Sequence, residues 1–192
     1  MDEDDQIQGN ISKLKAHVKV DGRSPLHRAF SLFHFNSQGQ LLLQKRSDLK
    51  VTFPSLWTNT VCSHQLYQMD EMDGTFGTKK AAMRRSKYEC GLHLKPAQLT
   101  HLTRILYAAD CSELLAESEL DHCIASISDI PFKVNPDEIS DIKVNLKTIP
   151  ILDGTHLGLC KLENEILKKA KNAQKSPKSH IFRPKNVIFE SF

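Results

Sequence analysis

The sequence predicts a mixed α/β domain, and three observations carry that reading. Alternating or apolar runs bounded by turn residues recur at 28–36, 41–44, 101–109, 117–127 and 142–149. Two stretches, 78–90 and 159–173, have helical periodicity instead. The 192 residues suit one domain with a sizeable core, and no repeat or low-complexity segment divides them. A single domain over 1–192 is therefore expected.

Taken in order, Met1 to Lys15 is polar, with Gly9-Asn10 as a turn signal, and reads as a frayed entry. His17 and His27 follow on either side of Pro25. Arg28 to Asn36 alternates and is rich in Phe, so it predicts a strand. Asn36 to Gln40 is a turn, and Leu41 to Gln44 is the returning strand. Arg46 and Lys50 fall on the loop beyond.

Phe53-Pro54 is extended and leads into Trp57-Thr58-Asn59-Thr60-Val61-Cys62-Ser63-His64. In a strand, positions i and i+2 share a face, so Cys62 and His64 project together while Val61 and Ser63 point away. The thiol is a candidate nucleophile, acid, base or ligand, and the imidazole a candidate ligand or base.

Thr78 to Cys90 reads as a helix ended by Gly91, with Ala82, Arg85 and Glu89 on one face and Gly74 and Gly77 bracketing the turn before it. A strand at His101 to Ala109, a turn at Asp110 to Leu115 and a return through Glu117 to Ile127 follow. Glu117 and Glu119 then place two carboxylates on one strand face. Ile142 to Ile149 alternates as a further strand. Leu159 to Ala173 has apolar residues at helical spacing, and the tail from Lys175 mixes Lys, Pro and Phe without an architecture.

Composition narrows the classes. Lys plus Arg exceed Asp plus Glu by 26 to 23, which is no nucleic-acid footprint. Five cysteines without a CxxC indicate neither a disulfide framework nor a zinc ribbon. No stretch has transmembrane length and the acidic N-terminus is unlike a signal peptide, so a cytoplasmic protein free of the membrane is expected.

His17, His27, His64, Glu117 and Glu119 together make an N3O2 set suited to a divalent ion of Zn, Mn or Fe type. Composition alone does not bring these residues together. A resemblance does. Leu26-His27-Arg28-Ala29-Phe30-Ser31, Leu42-Leu43-Gln44-Lys45-Arg46-Ser47-Asp48, the Phe53-to-His64 box, Arg84-Arg85 with Tyr88-Glu89-Cys90-Gly91, and Glu117-Ser118-Glu119 occur in one order. In these segments the chain resembles a divergent member of the type I isopentenyl-diphosphate delta-isomerases, a branch of the Nudix fold. The resemblance runs over about 1–150, with 151–192 divergent.

That resemblance implies an α/β/α sandwich with mixed sheets. It also implies interconversion of isopentenyl and dimethylallyl diphosphate in isoprenoid biosynthesis. By the same resemblance, Cys62 matches the catalytic thiol, Glu119 the opposing carboxylate and metal ligand, and Tyr107 the tyrosine bonded to that carboxylate. His17, His27, His64 and Glu117 match the remaining ligands of a second divalent ion, Mn2+ or Zn2+. Glu89 matches a carboxylate that helps hold Mg2+ at the diphosphate, and Arg46, Lys50 and Arg85 match the phosphate-binding cations. A monomer acting on a small diphosphate is expected. A peroxisomal location is known in the family, but no C-terminal peroxisomal signal is present.

The chain departs from the family pattern in several places. Gln65 follows His64 where the family has Pro, and the family's first strand is shortened. No TPW motif follows residue 150, so the only Trp is Trp57. Phe182 and Phe189 are the tail's candidates for an aromatic roof over the site. Arg85, Lys87 and Tyr88 stand where Nudix hydrolases carry Glu, which disfavours diphosphate hydrolysis. An impaired homologue that keeps metal and diphosphate binding is the other alternative.

Overall fold

The computed structural model describes residues 1–145, 168–172 and 188–189. Its centre is a mixed sheet. Strand β1 (His27–Phe35) lies between β2 (Leu41–Arg46) and β6 (Ala116–Ile127), and β5 (Leu99–Asp110) lies beyond β6. Strand β3 (Trp57–Thr58) and strand β7 (Ile139–Asn145) pair β2, while β4 (Val61–His64) pairs β1. The β1–β6 pairing is parallel and joins segments about 90 residues apart, with His27 opposite Glu119 and Ser31 opposite Cys123. The β4 pairing is antiparallel, with Ser31 opposite Cys62 and Ala29 opposite His64.

Alternation along β1 feeds two cores. Phe30 and Leu32 pack with Val61, Ile124 and Ile139 on one face, under Ala81, Ala82 and Cys90 of helix α2 (Gly74–Cys90). Phe33 and Phe35 pack with Leu41, Leu43, Cys123 and Ala125 on the other, against Ala170 of helix 168–172. Helix, sheet and helix thus form the α/β/α layering that the sequence implied. Trp57 packs at the second core, with the Lys143 ammonium 4.4 Å from its ring centroid.

Three boundaries differ from the sequence reading. Lys13–His17 forms a short helix, α1, rather than frayed coil. Five residues show too little periodicity to be read, and docking of Ala16 and His17 stabilises them. Helix α2 begins at Gly74, so Gly74 and Gly77 lie inside it. A side chain at Gly77 would overlap the Glu71 carbonyl, which explains a glycine in a helical turn. Arg46 is the last residue of β2 rather than part of the loop. The C-terminus of α2 is as read: Gly91 takes the left-handed conformation and its N–H bonds back to Lys87.

Of the last predicted strand, Ile142 to Asn145 lies in β7, and 146–149 fall outside the described residues. Of helix 159–173, residues 168–172 are described and helical. Phe182 lies outside the described residues. Strand β8 (Ile188–Phe189) pairs β5 in parallel, with the Phe189 backbone beside that of Tyr107.

Candidate functional site

The sheet face opposite α2 carries the site. His27 opens β1, and Cys62 and His64 come from β4. Glu117, Glu119 and Asp121 come from alternate positions of β6, and α1 brings His17. The three imidazoles form a triangle with ring centroids 5.0, 5.1 and 5.0 Å apart. One ligand atom from each of His17, His27, His64 and Glu119 lies within 4.8 Å of the other three. Four of the five expected N3O2 residues are therefore brought together.

Glu117 is not in that group. It hydrogen-bonds with Thr52, and burial together with the Glu119 charge pushes its carboxyl well above the usual range. Alternation puts Glu117 and Glu119 on one face, but one strand step of two residues separates neighbours by nearly 7 Å.

The donor set fits a divalent cation. His17 Nδ1 donates to the Lys13 carbonyl at 2.6 Å, and His27 Nδ1 to the Pro25 carbonyl at 2.8 Å. Each bond fixes the tautomer that leaves an Nε2 lone pair free. Both Nε2 atoms are buried; that of His17 has no hydrogen-bond partner, and that of His27 faces the Glu119 carboxylate. His64 Nε2 lies 2.9 Å from Glu119 Oε1, and His27 Nε2 lies 3.4 Å from the same oxygen. Burial works against the Glu119 charge, but the bonds from His27 and His64 outweigh it and hold the carboxyl far below its usual range. Burial pushes the His17 imidazole down, which favours its neutral form.

Cys62 lies beside this cluster. Its Sγ–H donates to Asn59 Oδ1 at 2.7 Å, and Ser31 Oγ and Thr58 Oγ1 approach to 3.5 and 3.6 Å. Burial, then the nearby Asp121 charge, pushes the thiol up to about 12, so the resting group is protonated. Tyr107 is in register with Glu119 across β5 and β6. Burial, then the charges of Glu117 and Glu119, keeps its phenol protonated.

A second, cationic corner holds the other predicted residues. Glu89 is fully buried in α2 and accepts from Arg85 Nε at 2.9 Å and from its Nη2 at 2.5 Å. Its second oxygen, Oε2, has no hydrogen-bond partner and lies 4.0 Å from Lys50 Nζ. Arg85 also reaches Glu138 at 3.2 Å, and Lys50 pairs with Glu138. Arg46 donates to the Thr52 and Phe53 carbonyls at the end of an unusual loop, where Phe53 and Ser55 both take positive φ. Lys13 completes the corner. Partial desolvation, then the charges of Lys50 and Arg85, pushes its ammonium below the usual value.

Sequence reasoning missed Lys13, Glu138, Asn59, Ser31 and Asp121. Asp121 had a signal, since it continues the alternation of Glu117 and Glu119. Lys13 also had one, four residues before His17 in what proves to be a helix.

The fold is that of the Nudix proteins, as the layering and mixed sheet indicate. DR0079 from Deinococcus radiodurans superposes with a TM-score of 0.53 over 86% of this chain and 95% of that one, at 21% identity. No family model matches the chain. Within the fold, the chain is similar in sequence to proteins named isopentenyl-diphosphate Delta-isomerase. It is 41% identical over 150 residues to isomerase II, chloroplastic, of Arabidopsis thaliana, covering 74% of this chain and 53% of that protein. Isomerase I of Clarkia breweri is 43% identical over 150 residues, 74% of this chain and 52% of its own. Isomerase I of Camptotheca acuminata is 42% identical over 150 residues, with coverage of 74% and 64%. The chain thus spans about half of the first two relatives' length.

Proposed function

We propose that this protein is an isomerase that interconverts isopentenyl and dimethylallyl diphosphate. The observation that carries the reading is the cluster of His17, His27, His64 and Glu119 beside the Cys62 thiol. It occurs in a chain 41–43% identical to proteins named for that activity.

The reaction moves a C=C bond by one carbon. A proton must be added to the terminal methylene and another removed from the carbon on the far side of the double bond. An alkene is a very weak base, so the acid must be placed against it with water excluded. In this reading Cys62 and Glu119 supply the acid and the base. Tyr107 stays protonated to hydrogen-bond the carboxylate. The Glu119 charge on β6 would stabilise a developing positive charge at the tertiary carbon.

His17, His27, His64 and Glu119 would hold a divalent ion, Mn2+ or Zn2+, with Glu117 adjacent. When bound, such an ion supplies positive charge that fixes the Glu119 carboxylate. Glu89 would help hold Mg2+ at the diphosphate, which Arg46, Lys50, Arg85 and Lys13 would bind through its oxygens. Binding energy gained at that remote anchor can act at the reacting carbons.

A single domain acting as a monomer completes the reading. No helix among the described residues is long and apolar enough to cross a membrane. We place the activity in the cytoplasm, and cell fractionation tests that, since the Arabidopsis relative is named chloroplastic. Arg85 and Tyr88 on α2 argue against the hydrolase alternative, which needs carboxylates there.

Incubating purified protein with isopentenyl diphosphate and Mg2+ tests the proposal. Dimethylallyl diphosphate should form and free phosphate should not. Phosphate release without isomerisation would replace this reading with a hydrolase. Binding of diphosphate without turnover would mark an impaired homologue.

A further inference from the structure

We propose that Asn59 and Ser31 are positioning residues that fix the direction of the Cys62 thiol, which rests on the reading of Cys62 as a reacting group. The argument follows the hydrogens. The Asn59 carboxamide donates one N–H to the Leu32 carbonyl at 3.0 Å and the other to the Val61 carbonyl at 3.2 Å. Leu32 and Val61 are register partners of β1 and β4, so the amide is tied to both strands beneath the thiol. A flipped amide would set Oδ1 against two carbonyl oxygens, so its orientation is fixed. Oδ1 therefore faces inward, where it accepts from Cys62 Sγ at 2.7 Å and from Thr58 Oγ1 at 2.9 Å.

The other side is equally committed. Ser31 donates its single hydroxyl hydrogen to Asp121 Oδ2 at 2.8 Å. What it turns to the sulfur, 3.5 Å away, is a lone pair. Thr58 has likewise directed its hydrogen to Asn59 and faces the sulfur at 3.6 Å with a lone pair. Three oxygens thus surround Sγ and none donates to it. Of these acceptors Asn59 Oδ1 is by far the nearest, at 2.7 Å against 3.5 and 3.6 Å, and it sets the direction of the thiol hydrogen. Asn59, Ser31, Thr58 and Asp121 are all buried, so water does not compete for these bonds. With its hydrogen held on Asn59, the sulfur keeps one orientation of its lone pairs, and proton exchange with carbon depends on such angles as well as on distance.

The test compares Asn59→Ala, Ser31→Ala and Ser31→Thr with wild type. It reads kcat, KM for isopentenyl diphosphate, metal content, and the rate at which iodoacetamide alkylates Cys62, followed by peptide mass spectrometry. Asn59→Ala should lower kcat on the order of a hundredfold, the cost of misplacing a reacting group by ~1 Å, with KM and metal content unchanged. Ser31→Ala should lower kcat less, Ser31→Thr should restore it, and alkylation should quicken in both alanine variants. A purely structural role would move KM, metal content and melting temperature together. Wild-type kcat in folded Asn59→Ala overturns the proposal. If that variant does not fold, equal kcat in wild type, Ser31→Ala and Ser31→Thr overturns it. If the wild type does not isomerise, the alkylation rates still decide. Equal rates in wild type and Ser31→Ala overturn the positioning role, whereas a faster variant supports it while the isomerase reading alone fails.

Discussion

The imidazole cluster and the cationic corner are built on opposite plans. In the cluster, His17 and His27 spend Nδ1 on backbone carbonyls and turn Nε2 inward, that of His17 unpartnered and that of His27, like that of His64, facing the one Glu119 carboxylate. In the corner, the charges quench one another: Arg85 spans Glu89 and Glu138, and Lys50 pairs with Glu138. The first region is set for a cation before it arrives. The second must exchange protein carboxylate for ligand oxygen. Under the proposed function, pre-organisation is concentrated where bond angles would matter, and a looser charge balance would serve where a highly charged anchor would bind.

Four experiments break or sharpen that contrast. Cys62→Ala should lower turnover by about two to four decades while leaving binding of inorganic diphosphate intact, since acid–base removal acts on chemistry alone. Product formation over time, with calorimetric binding alongside, checks both halves. His64→Ala should weaken the divalent ion by more than the ~10- to 100-fold that an outer partner's loss costs. Elemental analysis after purification without chelator reads it, and a full metal complement in the variant would contradict the assignment.

Glu138→Gln should act in the other direction at the corner. Freed from Glu138, Lys50 and Arg85 should bind inorganic diphosphate more tightly, by about two- to fivefold at low salt and less at high salt. Weaker binding would mean that Glu138 orders the cations rather than quenching them. The smallest effect is on acid stability. Burial raises the Glu138 carboxyl, but bonds and charge from Lys50 and Arg85 outweigh it, so its folded value lies below the unfolded one. Its contribution is therefore complete above the ordinary carboxylate range and is lost as pH falls through the folded value. Urea titrations from about pH 7 to 3 should show a shallower loss in Glu138→Gln than in wild type.

Much of this was legible in the sequence, for identifiable reasons. Alternation gave β1, β5 and β6 because each has a patterned face, and Gly91 marked the end of α2 because only a left-handed residue fits there. The i, i+2 rule put Cys62 beside His64. It did not give the parallel register of β1 on β6, a pairing of segments far apart in the chain, and this register is what brings His27 to Glu119. It also put Glu117 and Glu119 on one face without revealing that only Glu119 reaches the imidazoles. Glu138 was invisible because its role comes wholly from tertiary contact. Asn59 lay within the quoted Trp57-to-His64 segment, but its two carbonyl partners exist only once β1 and β4 pair.

Helix α1 has a consequence for communication between ligands. His17 and Lys13 lie one turn apart, joined by the bond from Nδ1 to the Lys13 carbonyl. Five residues cannot hold a helix unaided, so that turn exists only while its contacts do. A cation that engages His17 would therefore also steady the backbone that carries Lys13, whose ammonium feels the charges of Lys50, Arg85 and Arg46. If a divalent ion bound at His17 raised diphosphate affinity through this turn, thermodynamic reciprocity would require diphosphate to raise the ion's affinity by the same factor. A single turn of helix would make the two sites one cooperative unit.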